Sequence, residues 1–407
     1  MNAGHARILI LSSGPACRNP RPHKEACALQ AAGHSVTLLC PAFNADQARQ
    51  DETLAHEGGY ARLVLPSYTS LSSRAVTWLA RRLAAHGWPT MRALGPYQHL
   101  QAAALAHQAD LTIVHTELPL LIGTRLLRQG HLVAADFEDW HSEDLLPCAR
   151  RQRPLARLRS VEACMLRQAA YCSTTSEALS AALQLRHGGR AASVITNSFP
   201  LQPEPDPFLH HAPPSLFWYS QTLGPGRGLE PFLRAWAADT NDSRLVLLGE
   251  PISGYPDHLR SLLPRPKRER LELLGLVSPQ ALPELIARHD LGLALEESSP
   301  ESRRLTITNK ILQYLNAGLA VLASDTAGQQ EVFARTPGIG ALVQLNSTAS
   351  IAQALSTLLS SPETLHRARL QARALARSHY NWEREAERLQ QLVATALRRR
   401  AQPSSPA

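Results

Sequence analysis

Residues 200–230 read PLQPEPDPFLHHAPPSLFWYSQTLGPGRGLE, and this stretch decides the fold. Its first fifteen residues hold six prolines, Pro200, Pro203, Pro205, Pro207, Pro213 and Pro214, a density that forbids a regular helix or a central strand. Leu216–Tyr219 then forms a short apolar run, Ser220–Glu230 a loop with glycines at 224, 226 and 228, and a helical pattern follows. A proline-rich break with a fresh strand–glycine–helix start behind it predicts a linker at 200–214 between two α/β domains.

Toward the N-terminus the same alternation is already present. Arg7–Leu11 is a strand-like run, Gly14 lies in the loop after it, a helix can begin near Pro22 and end at Gly33, and Val36–Leu39 resumes a strand. Further strand-like runs are 62–65, 111–114, 132–135 and 193–196, separated by Ala/Leu/Arg segments of helical period. Beyond the linker, 216–219, 245–248, 271–274, 291–295, 319–323 and 341–343 repeat the pattern. Strands alternating with helices predict parallel sheets covered on both faces. Asn381 reads as the N-cap of a last helix with Trp382, Ala386, Leu389, Val393 and Leu397 on one stripe. The predicted organisation is an N-terminal domain over 1–199, a linker over 200–214, a C-terminal domain over 215–380, a helix over 381–400 and a tail over 401–407.

Composition agrees with two domains. The chain has 407 residues, too many for one ordinary core, and is 44% hydrophobic and 19% charged, too apolar for disorder. Its formal charge is +8, from 42 Lys+Arg against 34 Asp+Glu, yet only Lys24, Lys267 and Lys310 are lysines. An arginine-rich excess is either a compositional habit or the mark of an anionic partner, and charge alone does not choose. No nucleic-acid recognition motif accompanies it. Two basic segments, 74–92 with Trp78 and Trp88 and 148–168 with six arginines, read either as solvated amphipathic helices or as surfaces for peripheral contact with an anionic membrane. The apolar run 8–11 is too short for the core of a secretory signal, no stretch reads as a membrane span, and the six cysteines form no C-x-x-C pair. These features predict a cytoplasmic chain with reduced thiols, no metal site and no cofactor.

Ligands of open parallel sheets bind beyond the carboxyl ends of the strands, so the loops there carry the candidates. In 220–230, Arg227 offers a forked cation beside glycines and a helix start, a setting that suits a phosphate or equally a plain turn. In 296–310, a run with Glu296, Glu297 and Glu301 leads to Thr308 or Asn309 as N-cap and to Lys310 in the first helical turn. A lysine there opposes the helix dipole by a few tenths to about 1 kcal/mol, which favours a nearby anion. Lys310 and Gln313 are predicted to share the solvent face of that helix. In 136–144, the acids Asp136, Glu138 and Asp139 with Trp140 and His141 suit hydroxyl-rich ligands or acid/base work, or cap a helix.

Several segments taken together resemble a retaining GT-B glycosyltransferase of the family 4 kind. They are Asn19–Ala26 with Ala32–Thr37, Val194–Asn197, Gly226–Glu230, Leu248–Pro251, Asn309–Gly318, Ser324–Val332 and Tyr380–Glu383. The resemblance implies two Rossmann-like domains with parallel sheets facing across a cleft and a C-terminal helix packing back toward the N-terminal domain. It implies transfer of a sugar from a nucleotide diphosphate donor, with retention and without a metal, to a sugar or lipid-linked acceptor. By matched position, Arg227 and Lys310 would hold the diphosphate, Thr308 and Asn309 would add hydrogen bonds, and Glu331 or Gln313 would reach the ribose. Gly14 would admit the donor, Asp139 and His141 would face the acceptor, and Glu297 would stand in for a catalytic carboxylate. Two departures stand out: Leu305 and Gln313 occupy the places of the family's paired glutamates, and Gln221 or one of its neighbours that of an arginine early in the first donor loop.

Overall fold

A computed structural model describes residues 5–65, 71–88, 90–95, 97–203 and 211–401. The chain divides into two compact units, Met1–Ile195 with Ala386–Ala407, and Thr196–Glu385. The part of the linker at 204–210 and the tail at 402–407 lie outside the described residues.

The first unit holds a seven-stranded parallel sheet. Its strands are β1 Arg7–Leu11, β2 Ser35–Pro41, β3 Ala61–Leu65, β4 Leu111–His115, β5 Val133–Phe137, β6 Cys172–Thr174 and β7 Ser193–Val194, in the spatial order β3-β2-β1-β4-β5-β6-β7. β1 lies between β2 and β4, with Ile8 opposite both Val36 and Leu111. β6 has no counterpart among the predicted strands, because Cys-Ser-Thr is too short and too polar to stand out by hydropathy. The helix Trp382–Ala401 joins this unit from Ala386 on, where Gln390 Nε2 donates to the Ala28 carbonyl at 3.1 Å. Its N-cap is Asn381, whose Oδ1 accepts from the Arg384 amide at 3.0 Å.

The second unit holds a six-stranded parallel sheet: β8 Ser215–Leu223, β9 Arg244–Pro251, β10 Leu271–Leu274, β11 Leu291–Ala294, β12 Ala320–Ser324 and β13 Gly340–Val343, ordered β10-β9-β8-β11-β12-β13. Leu216, Trp218, Leu245, Leu247, Leu291 and Leu293 point into the core on one face. Phe217, Val246, Leu248, Val321 and Ala323 point into a separate core on the other. Two buried faces require apolar residues at every position, which is why these strands read as continuous runs without alternation. β8 runs to Leu223, past the predicted end at Tyr219, with a bulge between Tyr219 and Thr222.

Candidate functional site

In the second unit the turn after β8 is shaped by its glycines. Gly226 and Gly228 have φ of +76° and +72°, and Gly228 is the N-cap of the helix Leu229–Ala238. A Cβ on Gly228 would lie 2.9 Å from Leu345 Cδ1 and 3.1 Å from Leu295 Cβ, so backbone and packing both demand glycine. The turn leaves Arg227 half-buried, with no hydrogen bond or ion pair to any described residue.

Lys310 is 8% exposed, which corrects the predicted placement on a solvent face. Its Nζ donates to Glu296 Oε1 at 2.5 Å, and Glu296 is itself buried. The anion that the helix position calls for is thus a carboxylate of the chain, and the dipole mismatch by itself does not require an external phosphate. Arg303, which the sequence reading passed over, approaches Glu296 Oε2 at 3.8 Å and donates from Nη1 to the Gly226 carbonyl at 3.4 Å. Two cations on one carboxylate leave a positive surplus, and Arg303 ties it to the glycine turn that carries Arg227. The Glu296 backbone is pinned by its amide donating to Ser324 Oγ at 2.6 Å. Glu297 is exposed, with Oε2 4.0 Å from where a Gly226 Cβ would stand, and Glu301 pairs locally with Arg304 at 2.5 Å.

Two helices begin in this unit beyond the strand ends. Thr308 is the N-cap of Asn309–Ala317 and Thr326 of Ala327–Arg335, yet neither side chain makes the capping bond. Both hydroxyls are buried without a partner, as are Gln313 Oε1 and Gln329 Oε1. The two helix starts are drawn together at Gly328, where a Cβ would stand 2.2 Å from the Thr306 carbonyl oxygen. Unsatisfied buried polar atoms cost about 1–3 kcal/mol each, and unpaired first-turn amides beside them make a place for anionic and hydroxyl oxygens. Asn309 is exposed in the first turn, and Glu331 is half-buried on the second helix. Leu305 is 4% exposed, so the place of the missing glutamate is a core position here.

In the first unit, Gly14 has ordinary backbone angles, and a Cβ on it would meet nothing within 4 Å. Its neighbour Ser13 bonds through Oγ to Thr116 Oγ1 at 2.7 Å, and Thr116 holds φ of +66°, an outlier for a β-branched residue. Asp139 is half-buried, and His141 is 8% exposed with Nε2 lacking a hydrogen bond. The loop is anchored below by Ser142, whose amide and hydroxyl both reach Glu162 at 2.8 Å. Burial works against the Glu162 carboxylate, but the His187 hydrogen bond and the charge of His141 outweigh it and hold its pKa below the usual range.

A fully buried cluster lies under this edge and was not singled out from sequence. Arg21 donates to both oxygens of Asp136, at 2.8 and 2.6 Å, and Ser173 Oγ donates to Asp136 Oδ2 at 2.6 Å. His115 Nε2 lies 3.0 Å from Glu25, and its Nδ1 3.5 Å from Asp136. Burial lowers the His115 pKa, but Glu25 and Asp136 together raise it to about 10, so the ring is an imidazolium. Glu25, His115 and Asp136 are near enough to chelate a cation, but the Arg21 guanidinium already fills that place, with Nε 3.6 Å from Glu25. The available sequence signal was Arg21 and Glu25 at i, i+4 behind Pro20. The five described free cysteines form no disulfide.

Residues 19–198 match the glycosyl transferase 4-like domain family and residues 227–391 the glycosyl transferase-like family. No curated protein matches the chain in sequence. HepE of Anabaena, solved with UDP and glucose, is 18% identical with a TM-score of 0.68, covering 96% of this chain and 100% of that one. Sucrose-phosphate synthase of Thermosynechococcus elongatus is 15% identical at 0.68, covering 96% and 98%. A glycosyltransferase of Rickettsia africae is 11% identical at 0.66, covering 97% and 99%. At such identities the likeness shows the fold, two Rossmann-like α/β domains of the GT-B type.

Proposed function

We propose that this chain, built of a glycosyl transferase 4-like and a glycosyl transferase-like domain, moves a sugar from a nucleotide diphosphate donor to an acceptor hydroxyl, with retention and without a metal ion. The hydroxyl oxygen bonds to the anomeric carbon, the carbon–oxygen bond to the diphosphate breaks with its electron pair, and the hydroxyl proton is lost to the leaving diphosphate. The observation that carries this reading is the pair of cations Arg303 and Lys310 on the one carboxylate of Glu296, with Arg227 on the glycine turn that Arg303 also reaches, in the same unit as two helix starts with unpartnered buried hydroxyls. Preorganised cations and amides lower a barrier where negative charge grows on a leaving group. Arg227 and Lys310 hold the diphosphate, Thr308 and Asn309 add hydrogen bonds, and Gln313 or Glu331 meets the ribose. Glu297, Asp139 and His141 serve the transferred sugar and the acceptor. Retention follows from the family 4 resemblance, and the UDP bound by Anabaena HepE suggests the first donor base to try.

Leu305 in the core favours one other reading, a sugar- or nucleotide-binding module without catalysis. Calorimetry with UDP, GDP and ADP, then turnover of a nucleotide-sugar panel, separates the two. Binding with turnover supports the transferase, binding without turnover the module, and no binding removes both. No helix among the described residues is long and apolar enough to cross a membrane. A cytoplasmic protein with peripheral contact through its arginine-rich segments fits this reading.

A further inference from the structure

Beyond the carboxyl ends of β1, β2 and β4, the first unit contains a cavity of about 830 Å³. Ser13, Phe43 and Leu118 line it, each a few residues past one of those strand ends. The chain leaves β1 for β2 on one side, and β4 pairs on the other, so the cavity lies over the point where the strand order reverses. Its far wall is the helix Leu71–Ala85, which contributes Arg74, Trp78, Arg81 and Arg82, with His86 just beyond it. No aspartate or glutamate is among the described lining residues.

These basic groups are partly oriented by the protein itself. Arg81 Nε donates to the Ala93 carbonyl at 3.1 Å, the Arg82 guanidinium lies 4.6 Å from the centre of the Trp78 ring, and His86 Nδ1 donates to the Arg82 carbonyl at 2.8 Å. Arg74 bonds to no described residue. Three guanidinium groups with no carboxylate among them favour an anion, which they can grip with forked, charge-assisted hydrogen bonds. Trp78, 57% exposed, and Phe43, 40% exposed, offer aromatic surface beside them. The volume lies within the range of about 300–1,000 Å³ in which small-molecule sites fall.

We propose that this cavity receives the acceptor, and that the acceptor carries a phosphate or carboxylate next to an apolar or aromatic body. The inference rests on the glycosyl-transfer reading for the word acceptor. The anion-binding chemistry rests on the cavity alone. The acceptor's anion is held and does not react.

The test uses the full chain, with phenyl phosphate, phenol and inorganic phosphate as probes and UDP as the control for the second unit. Phenyl phosphate should bind about tenfold or more tightly than phenol and more tightly than inorganic phosphate, and the R74Q/R82Q double variant should lose about tenfold in its affinity while binding UDP unchanged. Equal binding of phenol and phenyl phosphate, no binding of phenyl phosphate, or full affinity in the double variant overturns the proposal. Co-sedimentation with vesicles of phosphatidylcholine, with and without phosphatidylglycerol, locates the anion. Sedimentation that needs phosphatidylglycerol and is displaced by phenyl phosphate places the anion on a lipid. Phenyl phosphate binding without sedimentation places it on a soluble acceptor. Phenyl phosphate binding with no nucleotide binding would sink the transferase reading and leave the anion site standing. The reverse pattern would sink the anion site alone.

Discussion

Replacing Lys310 with alanine separates a structural lysine from a ligand-binding one. Removal of one partner of a buried ion pair costs about 3–5 kcal/mol, because the other charge is left without compensation in a poorly solvated place. Here Arg303 stays 3.8 Å from Glu296 and is 31% exposed, so it offsets part of that cost. The expected loss for Lys310→Ala is therefore about 2–3 kcal/mol. In a unit of this size that lowers the melting temperature by roughly 4–12 °C. Glu296→Gln combined with Lys310→Met removes both charges and should recover at least about 1 kcal/mol of the loss, as expected for coupled neighbours. Scanning calorimetry of the full chain reads the transition of the second unit, and tryptophan fluorescence follows Trp218 and Trp236 in its core. UDP calorimetry on the double variant then isolates the ligand role, since stability returns while the lysine does not. A Lys310→Ala protein as stable as the parent, or a double variant no more stable than the single one, would refute the pairing argument.

Arg227 pairs with no described residue, so Arg227→Ala should leave the melting temperature within about 2 °C while weakening UDP binding tenfold or more by calorimetry; unchanged affinity would remove Arg227 from the diphosphate site. Gly228→Ala should destabilise the second unit by about 1–3 kcal/mol in thermal unfolding, because a left-handed backbone and the Leu345 and Leu295 contacts both resist a Cβ. His115 has a folded pKa near 10, above its unfolded value of about 6.5, so its contribution is full below about pH 6.5 and is lost as pH rises through 10. The stability gap between the parent and His115→Gln should therefore narrow between pH 7 and 10 in denaturant titrations, and a gap that is flat or widens would count against the imidazolium. Gln313→Glu restores a carboxylate where the family carries one and should raise nucleotide-sugar turnover, which a panel assay measures directly.

Continuous apolar runs between helical segments announced parallel sheets, and the six prolines suggested a break at 200–214, whereas the two compact units divide at Ile195/Thr196 and at Glu385/Ala386. Both are local patterns, and the predicted strands appear in the structure with ends shifted by a few residues. β6 escaped because three polar-leaning residues become a strand only when β5 and β7 offer them partners. The candidate site was legible where a loop follows a strand. Arg227, Lys310 and the Glu296–Glu301 run were all found that way. The partner of Lys310 was not, because Glu296 lies fourteen residues away and reaches it only once β11 and the Asn309–Ala317 helix are packed together.

By itself the sequence determined the class of fold, the strand ends at which chemistry collects and the excess of arginine over lysine, because hydropathy period and glycine placement act within a few residues. Only the tertiary structure decided which charges meet. It paired Lys310 with Glu296, left Arg227 without a partner among the described residues, buried Arg21 with Asp136, Glu25 and His115, and set Arg74, Arg81 and Arg82 around a cavity with no acid among its described lining residues. The physical reason is that a charge's role depends on its neighbours within a few ångströms and on the water excluded around it, and both are properties of packing.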